Sequence, residues 1–445
     1  MVIRLPAAPI KPLLKRMIVR SLAAVHAGTA VRQAVRRDGE ILMVGSRRYD
    51  LRRYDRLAVV GAGKAAAPMA REVERILGRR LHGGLVIVKY RHKVPTRRIV
   101  VEEAGHPVPD RAGLRAVQRL HDLAASLNQR DLLVVLLSGG ASSLMPAPVG
   151  GLTLADKQQV TKQLLRCGAD IQEINSVRKH LSTLKGGRLA ELTKAAVITL
   201  ILSDVLGDDL SSIASGPTAP DPTTYRDAVA CLKRYRLWSI APTAVRAHLT
   251  AGCRKRFAET PKPGAPLFRR VQHLIVGNNR LALVALSRTA REAGFRTVLH
   301  SMTLTGEARA AGTAFGRLAK DILMKNAPVS RPCCILAGGE TTVTVMGSGN
   351  GGRAQEFAVA AAKAIAGLSN VWVAAIGSDG TDGPTDAAGA LVSGETLARA
   401  RRLGVDLDDA LKHNNTYAAL KRLRCHITTG PTGTNVNDLY LLFVL

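Results

Sequence analysis

Glycine-rich segments follow several apolar runs of the sequence and carry polar side chains suited to binding anions. Residues 59–66 read VVGAGKAA. Gly61 and Gly63 would let the backbone approach an anion, a helix start would add unpaired N–H groups, and Lys64 adds a cation. The pattern formally matches a dinucleotide fingerprint, but the next apolar run ends in Lys89 instead of an acid. Phosphate or carboxylate binding is therefore favoured over NAD binding, and a purely structural turn is the alternative.

A second segment, residues 136–144 (LLSGGASSL), again combines an apolar run with a glycine turn. Ser138, Gly139 and Gly140 are candidate ligand contacts. Ser142 is expected either to cap a helix or to hold a substrate carboxylate.

Basic and acidic candidates follow in the next two segments. Arg178 and Lys185 lie in the run EINSVRKHLSTLKGG, where they are either anion contacts or part of a solvated basic helix face. Asp204 comes directly after an apolar run, where catalytic acids are often found. Asp204 or Asp208 could accept a hydroxyl proton or help to hold magnesium. Asp209 is expected to cap the next helix.

The second half of the chain contains another glycine-rich loop. In residues 338–356, GGETTVTVMGSGNGGRAQE, a flexible loop precedes Arg353 at a predicted helix start. This combination suits an anion-binding backbone nest with an adjacent cation, and a plain hairpin tip is the alternative. The candidate ligand contacts here are Glu340, Gly349, Gly351 and Gly352.

Three acids cluster in the segment IGSDGTDGPTDAAG, residues 376–389. Magnesium prefers one or two carboxylates together with water and substrate phosphates, so Asp379, Asp382 and Asp386 are candidate metal ligands. Asn437 and Asp438, in the polar segment near the end of the chain, are candidate ligand contacts or turn residues.

These segments imply an α/β protein in which apolar strands alternate with helices and ligand loops follow the carboxyl ends of the strands. The 445 residues exceed what one hydrophobic core usually supports, so we expect two domains. The segment ETPKPGAP, residues 259–266, breaks any periodic element. We therefore predict domains over residues 1–258 and 267–445.

Composition restricts the remaining classes of protein. The six cysteines form no C-x-x-C pair, which argues for a reducing cytoplasm. The formal net charge of +30 raises nucleic-acid binding as an alternative, but the basic residues are dispersed and lack interleaved aromatic side chains. No apolar run is long enough to cross a membrane. The basic leader is expected to form an amphipathic helix, with a transit peptide as the alternative.

The quoted segments, with GHPVPD (residues 105–110) and TGPTGTNVNDL (429–439), occur in an order that resembles the type-2 glycerate kinase family. The resemblance covers most of the chain. It implies a Rossmann-like N-terminal domain with a largely parallel sheet, and a smaller α/β domain with a MOFRL region over about residues 333–445. It places the site in an interdomain cleft. Lys64 and Arg353 are then the best candidates for active-site cations. Ala354 departs from the asparagine that the family usually has after this arginine.

The resemblance also implies ATP-dependent phosphorylation of D-glycerate to 2-phosphoglycerate with a divalent cation, Mg²⁺. We therefore expect glycerate and a nucleotide as small-molecule partners, with no specific nucleic acid and no membrane. A homodimer is one alternative for the assembly. Combined anion sites and acids suit phosphoryl transfer, in which positioning and charge neutralisation dominate. An NADPH-dependent hydroxypyruvate reductase is the second hypothesis.

Overall fold

The apolar runs form strands of two large sheets in this computed structural model, which describes residues 3–445. The strands are β1 Val35–Asp38, β2 Ile41–Val44, β3 Arg47–Asp50, β4 Leu57–Ala62, β5 Leu81–Lys89, β6 Ile99–Ala104, β7 Leu132–Ser138, β8 Ala196–Leu202, β9 Val271–Gly277, β10 Arg296–Leu304, β11 Cys333–Gly339, β12 Val371–Gly377, β13 Gly389–Ser393, β14 His426–Ile427 and β15 Asp438–Val444. The helices are α1 Lys11–Val25, α2 Ala27–Ala34, α3 Ala66–Leu77, α4 Arg111–Ala125, α5 Ala141–Leu144, α6 Leu154–Arg166, α7 Ile171–His180, α8 Arg188–Leu192, α9 Tyr225–Arg234, α10 Thr243–Cys253, α11 Asn279–Arg291, α12 Ala308–Lys325, α13 Arg353–Ala364, α14 Thr396–Arg402, α15 Leu407–Lys412 and α16 Thr416–Arg422.

The described chain divides into two compact units, residues 27–276 and residues 3–26 with 277–445. This division differs from the predicted one at both ends. The basic leader forms the expected helix, α1, but α1 packs on α11, where Ser21 Oγ donates to Ala282 O at 2.9 Å. Strand β9 follows the proline-rich segment and still joins the first sheet. The domain boundary therefore depends on long-range packing, which local sequence patterns do not indicate.

The unit of residues 27–276 is built on a six-stranded sheet in the order β6-β5-β4-β7-β8-β9. The strands from β6 to β8 pair in parallel, as the apolar runs predict. Every residue of β4 and β7 is buried, which explains their uninterrupted apolar sequence. A second apolar cluster joins α6, α7, α9 and α10. Helix α6 begins at a capping box that the spacing of Thr153 and Asp156 predicts, and these two residues bond reciprocally.

The other unit contains a mixed sheet in the order β10-β11-β15-β12-β13-β14. Although the apolar runs of β11 and β12 suit a parallel sheet, β15 lies antiparallel between them. A fully buried central strand is apolar whether it runs parallel or antiparallel to its neighbours. Its sequence therefore does not indicate the direction in which it runs. Helices α12 and α13 pack on this sheet, and Phe357 of α13 stacks on Tyr440 of β15 with ring centroids 4.1 Å apart.

Candidate active site

Three neighbouring parallel strands bring the polar segments of the first half of the chain to one sheet edge. β4 leads into Gly63 and Lys64, β7 ends at Ser138, and Asp204 follows β8. Because these strands are adjacent and parallel, their carboxyl ends lie side by side. Ligands of open α/β sheets bind at such an edge.

The backbone N–H groups of the turn before α3 are already used within the protein. Three of them are bonded to oxygen atoms of neighbouring segments: Gly63 N to Ile87 O at 3.1 Å, Lys64 N to Gly139 O at 2.9 Å and Ala65 N to Ser138 Oγ at 3.0 Å. The expectation that this turn offers unpaired N–H donors is therefore wrong. The group that it presents is the side chain of Lys64.

The two glycines of this turn are required by close packing. A Cβ atom on Gly61 would lie 2.3 Å from Leu136 O, and one on Gly63 would lie 2.1 Å from Ser138 Oγ. Gly63 also has a φ of +132°, which disfavours other residues. Both glycines therefore fix the Lys64 turn against β7 and the segment that follows it.

The carboxylate of Asp204 packs directly against Gly139. A Cβ atom on Gly139 would lie 2.1 Å from Asp204 Oδ2, so this glycine makes room for the acid. Asp208 lies in a strained left-handed turn with φ of 56°. Asp209 stabilises the same loop by accepting from Ser212 Oγ at 2.6 Å. The three acids thus occupy different roles in one loop, with Asp204 at the strand end.

A histidine that the motifs did not single out lies beside Lys64. A Cβ atom on Gly140 would lie 2.8 Å from the His106 ring and 3.6 Å from Lys64 Cγ. Burial, followed by the charges of Lys64, Lys89 and His92, lowers the pKa of His106 to about 4. The imidazole is therefore neutral at neutral pH, and the surroundings favour anions.

A basic cavity of about 910 Å³ lies next to this edge, within residues 27–276. We call it the basic cavity; Lys157, Arg178, Lys185, Ser142 and Gly140 help to line it. Lys185 Nζ donates to Ser142 O at 2.8 Å. The side chain of Ser142 does not cap α5 but shares a hydrogen bond of 2.9 Å with Ser215 Oγ. Two of the predicted contacts, Arg178 and Lys185, are thus brought to one cavity with Ser142.

Arg353 begins α13 in the other unit and is already paired with acids. Its Nε donates to Asp438 Oδ2 at 2.7 Å and its Nη1 to Glu340 Oε1 at 2.6 Å. Burial lowers the pKa of Arg353, but Asp438 and Glu340 outweigh it and the net change is upward. The guanidinium is therefore charged and held in a fixed orientation.

The glycine loop before Arg353 is packed against its own unit. A Cβ atom on Gly349 would lie 2.4 Å from Asn415 Cβ, one on Gly351 2.3 Å from Thr416 Oγ1 and one on Gly352 2.3 Å from Asp382 Oδ1. No strand follows β11 here, so the loop is not a hairpin tip. The first N–H groups of α13, those of Ala354 and Gln355, donate to Asp382. The anion at this helix start is the protein's own carboxylate.

The three predicted metal ligands do not converge in this structure. Asp382 caps α13 with both oxygens, Asp379 Oδ1 accepts from Thr381 N at 3.0 Å, and Asp386 accepts from Tyr417 OH at 2.7 Å. Across residues 3–445, no group of three His, Cys, Asp or Glu side chains is placed to hold a metal ion. The three acids, which are clustered in the sequence, therefore make three separate capping and turn contacts in the fold.

Asn437 is buried at the start of β15 in a left-handed conformation with φ of 66°. Its backbone oxygen accepts from Ser378 N at 3.2 Å, so one role of this residue is to turn the chain.

The predicted residues thus form two groups, one in each unit, and sequence reasoning missed two members, His106 and Lys157, and the pairing of Asp438 with Arg353. His106 and Lys157 lie in the first group and Asp438 in the second. His106 belongs to the quoted GHPVPD segment, which could have identified it. Lys157 lies on an ordinary amphipathic helix, and its burial carries no sequence signal. No helix among residues 3–445 is long and apolar enough to cross a bilayer.

Two family models match the chain. The first, described as a domain of unknown function (DUF4147), matches residues 13–250, and the MOFRL family matches residues 333–438. The second range confirms the predicted MOFRL region.

Named relatives are similar over nearly the whole chain. Glycerate 2-kinase of Pyrococcus horikoshii is 39% identical, with 96% of each chain covered. The crystal structure of glycerate kinase from Thermotoga maritima matches with a TM-score of 0.87 at 38% identity, covering 98% of this chain and 99% of that one. A protein of Agrobacterium vitis, named only provisionally as a hydroxypyruvate reductase, is 43% identical with 87% of each chain covered.

Proposed function

Because this chain belongs to the glycerate kinase family, we infer that it transfers the γ-phosphoryl group of ATP to D-glycerate and forms 2-phosphoglycerate. The observation that carries this inference is the similarity to a glycerate 2-kinase over 96% of both chains. The sheet edge with Lys64 and Asp204 supports it, since phosphoryl transfer needs a positioned acceptor and cations for the moving charge.

We assign Asp204 to the acceptor hydroxyl. The oxygen on C2 of glycerate attacks the γ-phosphorus, the bond from that phosphorus to the β,γ-bridging oxygen breaks, and ADP leaves. Asp204 accepts the hydroxyl proton or orients the hydroxyl. Its carboxylate is positioned by contact with Gly139. A general base typically contributes about 10²–10⁴-fold to the rate.

Lys64 and Arg353 are proposed as the catalytic cations of the phosphoryl transfer. Charge that develops in the transition state is stabilised most by groups fixed beforehand. Lys64 is fixed by its glycine turn and Arg353 by Asp438. If they act together, the double variant loses less than the product of the two single losses.

Magnesium is proposed to arrive as the ATP complex. Of the three predicted ligands, Asp382 has both oxygens committed to α13 and Asp386 bonds to Tyr417. Asp379, whose Oδ1 accepts from Thr381 N and Thr381 Oγ1, is proposed to face the hydrated cation. The six cysteines are free, which fits a proposed cytoplasmic location. A homodimer stays a prediction.

The test compares two reactions of the purified full chain. ADP formation is followed with D-glycerate and MgATP, and NADPH oxidation is followed with hydroxypyruvate. We expect ADP only when glycerate and magnesium are both present, and 2-phosphoglycerate as the product by ³¹P NMR. NADPH oxidation without ADP formation would instead establish the reductase. Lys194→Met, an exposed lysine of the same unit outside the basic cavity, is the control for Lys64→Ala.

A further inference from the structure

We propose that the basic cavity binds the nucleotide, with the triphosphate on Lys157, Arg178 and Lys185 and the base on the apolar wall near Leu165. This assignment rests on the proposed function for the identity of the nucleotide, ATP. It places nucleotide recognition within residues 27–276.

Lys157 and Lys185 are buried, and Arg178, which lines the same cavity, is partly buried. Lys157 and Lys185 are 8% and 2% exposed. Lys157 Nζ donates to Pro146 O, and Lys185 Nζ donates to Ser142 O and to Met145 O. Carbonyl oxygens satisfy the N–H groups but supply no full negative charge. No carboxylate is among the groups that shift the pKa of any of these three cations.

Lys179 shows how a buried cation with a structural role is neutralised in this fold. Lys179, adjacent to Arg178 on α7, is as buried as Lys185 and pairs with Asp221 at 3.1 Å. An unpaired buried charge is costly, so two buried lysines and a partly buried arginine without acid partners indicate a site whose counter-charge comes from a ligand. In the free protein, burial lowers the pKa of Lys157 to about 7 and lowers that of Lys185 as well.

The shape and lining favour a nucleotide over a small acid. A volume of about 910 Å³ lies at the upper end of ordinary ligand pockets and far exceeds the need of a three-carbon acid. Val108 and Leu165 line it and are 63% and 61% exposed, so they offer an apolar surface to a planar base. The positive charges and the apolar surface of this cavity, which Lys162 and Arg166 also line, match the two halves of ATP.

The cavity also continues to the proposed reaction centre. Gly140 lines the cavity, and a Cβ atom placed on it would lie 3.6 Å from Lys64 Cγ. A triphosphate bound to the three cations can therefore extend its terminal phosphate toward Lys64. Nucleotide binding would then use the cations of the basic cavity, and phosphoryl transfer would use Lys64.

The first experiment measures binding without turnover. Isothermal titration calorimetry of the full chain with MgAMP-PNP, in the absence of glycerate, compares wild type with Lys157→Met, Arg178→Gln and the control Lys194→Met. We expect Kd to rise about 10–100-fold for the first two and to stay unchanged for the control. Unchanged Kd in Lys157→Met and Arg178→Gln would overturn the proposal.

Folding is checked in the same variants. Lys157→Met removes an uncompensated buried charge, so its melting temperature without ligand should equal or exceed that of wild type. A lower melting temperature would show that the lysine stabilises the fold and would count against the proposal.

The second experiment separates the two ends of the site. Inorganic tripolyphosphate should bind wild type and Leu165→Ser equally but bind Lys157→Met at least 10-fold more weakly. MgAMP-PNP should bind Leu165→Ser more weakly than wild type. If Lys157→Met and Arg178→Gln instead weaken only glycerate binding, the cavity holds the hydroxy acid and the proposal is wrong. The protein could also bind nucleotide through Lys157 and yet show no glycerate kinase activity. That result would support the nucleotide site and contradict the proposed function.

Discussion

The basic cavity in residues 27–276 and the loop around Arg353 in the other unit both present cations, but in opposite electrostatic states. The cavity holds Lys157, Arg178 and Lys185 without an acid partner. Arg353 is bonded to Asp438 and Glu340 before any substrate arrives. The first region is therefore built to attract an anion, and the second to hold one guanidinium in a fixed place.

The same contrast extends to the backbone. In both regions the glycine turns have most of their N–H groups satisfied by the protein, by neighbouring strand segments at Lys64 and by Asp382 at α13. Side chains, not open backbone nests, therefore distinguish the two regions. Their different pairing predicts different responses to substitution.

The largest effect should come from Arg353→Ala. It removes the partner of buried Asp438, and breaking such a pair typically costs about 3–5 kcal/mol of stability. Urea unfolding should show this loss together with loss of activity. The exposed pair of Lys325 and Asp321 provides the control, because Lys325→Ala should change stability by less than about 1 kcal/mol. If Arg353→Ala is as stable as wild type, the ion pairs of Arg353 do not stabilise the fold, and the proposed difference between the two regions is wrong.

Lys64→Ala should behave in the opposite way. Removing a preorganised group that faces developing charge costs about 10²–10³-fold in kcat. Stability should stay within about 0.5 kcal/mol of wild type, because the Lys64 side chain is only partly buried. Steady-state kinetics and urea unfolding on one preparation test both parts. Full activity would return the VVGAGKAA turn to a purely structural role.

An intermediate effect is expected from Asp382→Asn. The change weakens the bonds to Ala354 N and Gln355 N, and loss of a helix cap typically costs about 1–2 kcal/mol. The magnesium concentration for half-maximal rate should stay unchanged, whereas Asp379→Asn should raise it. A shift in magnesium dependence for Asp382→Asn alone would show that this acid leaves the helix to bind the cation.

The smallest effect concerns His106 and pH. Its folded-state pKa of about 4 lies below the ordinary 6.5, so between these values the unfolded chain binds more protons. Stability should therefore rise as pH rises from 4 to 6.5, by less than about 1 kcal/mol per pH unit for this half-buried group. His106→Gln should flatten the profile by that amount. An identical slope in both proteins would place His106 in a solvated environment.

Local patterns predicted the parts of this protein that local forces control. The capping box at Thr153 and the glycine turn before α3 follow from short-range sterics and hydrogen bonding, and both are found where expected. Strand β15 shows the limit, because its apolar sequence is compatible with either direction and its antiparallel place depends on distant partners.

The candidate site divides along the same line. The types and order of the residues were sufficient to identify the family. They were also sufficient to select Lys64, Asp204 and Arg353 as candidate catalytic residues, because the motifs contain these charged side chains. Only the folded chain decides which charges are paired. Asp382 looks like a metal ligand in sequence and is a helix cap in space.

The sequence by itself determined the α/β class, the strand-end positions of the polar segments and the membership of the family. Tertiary structure alone decided that Lys179 has an acid partner and Lys157 does not. The physical reason is that pairing and desolvation depend on atoms brought together from distant parts of the chain. Asp221, for example, lies 42 positions from the lysine that it neutralises.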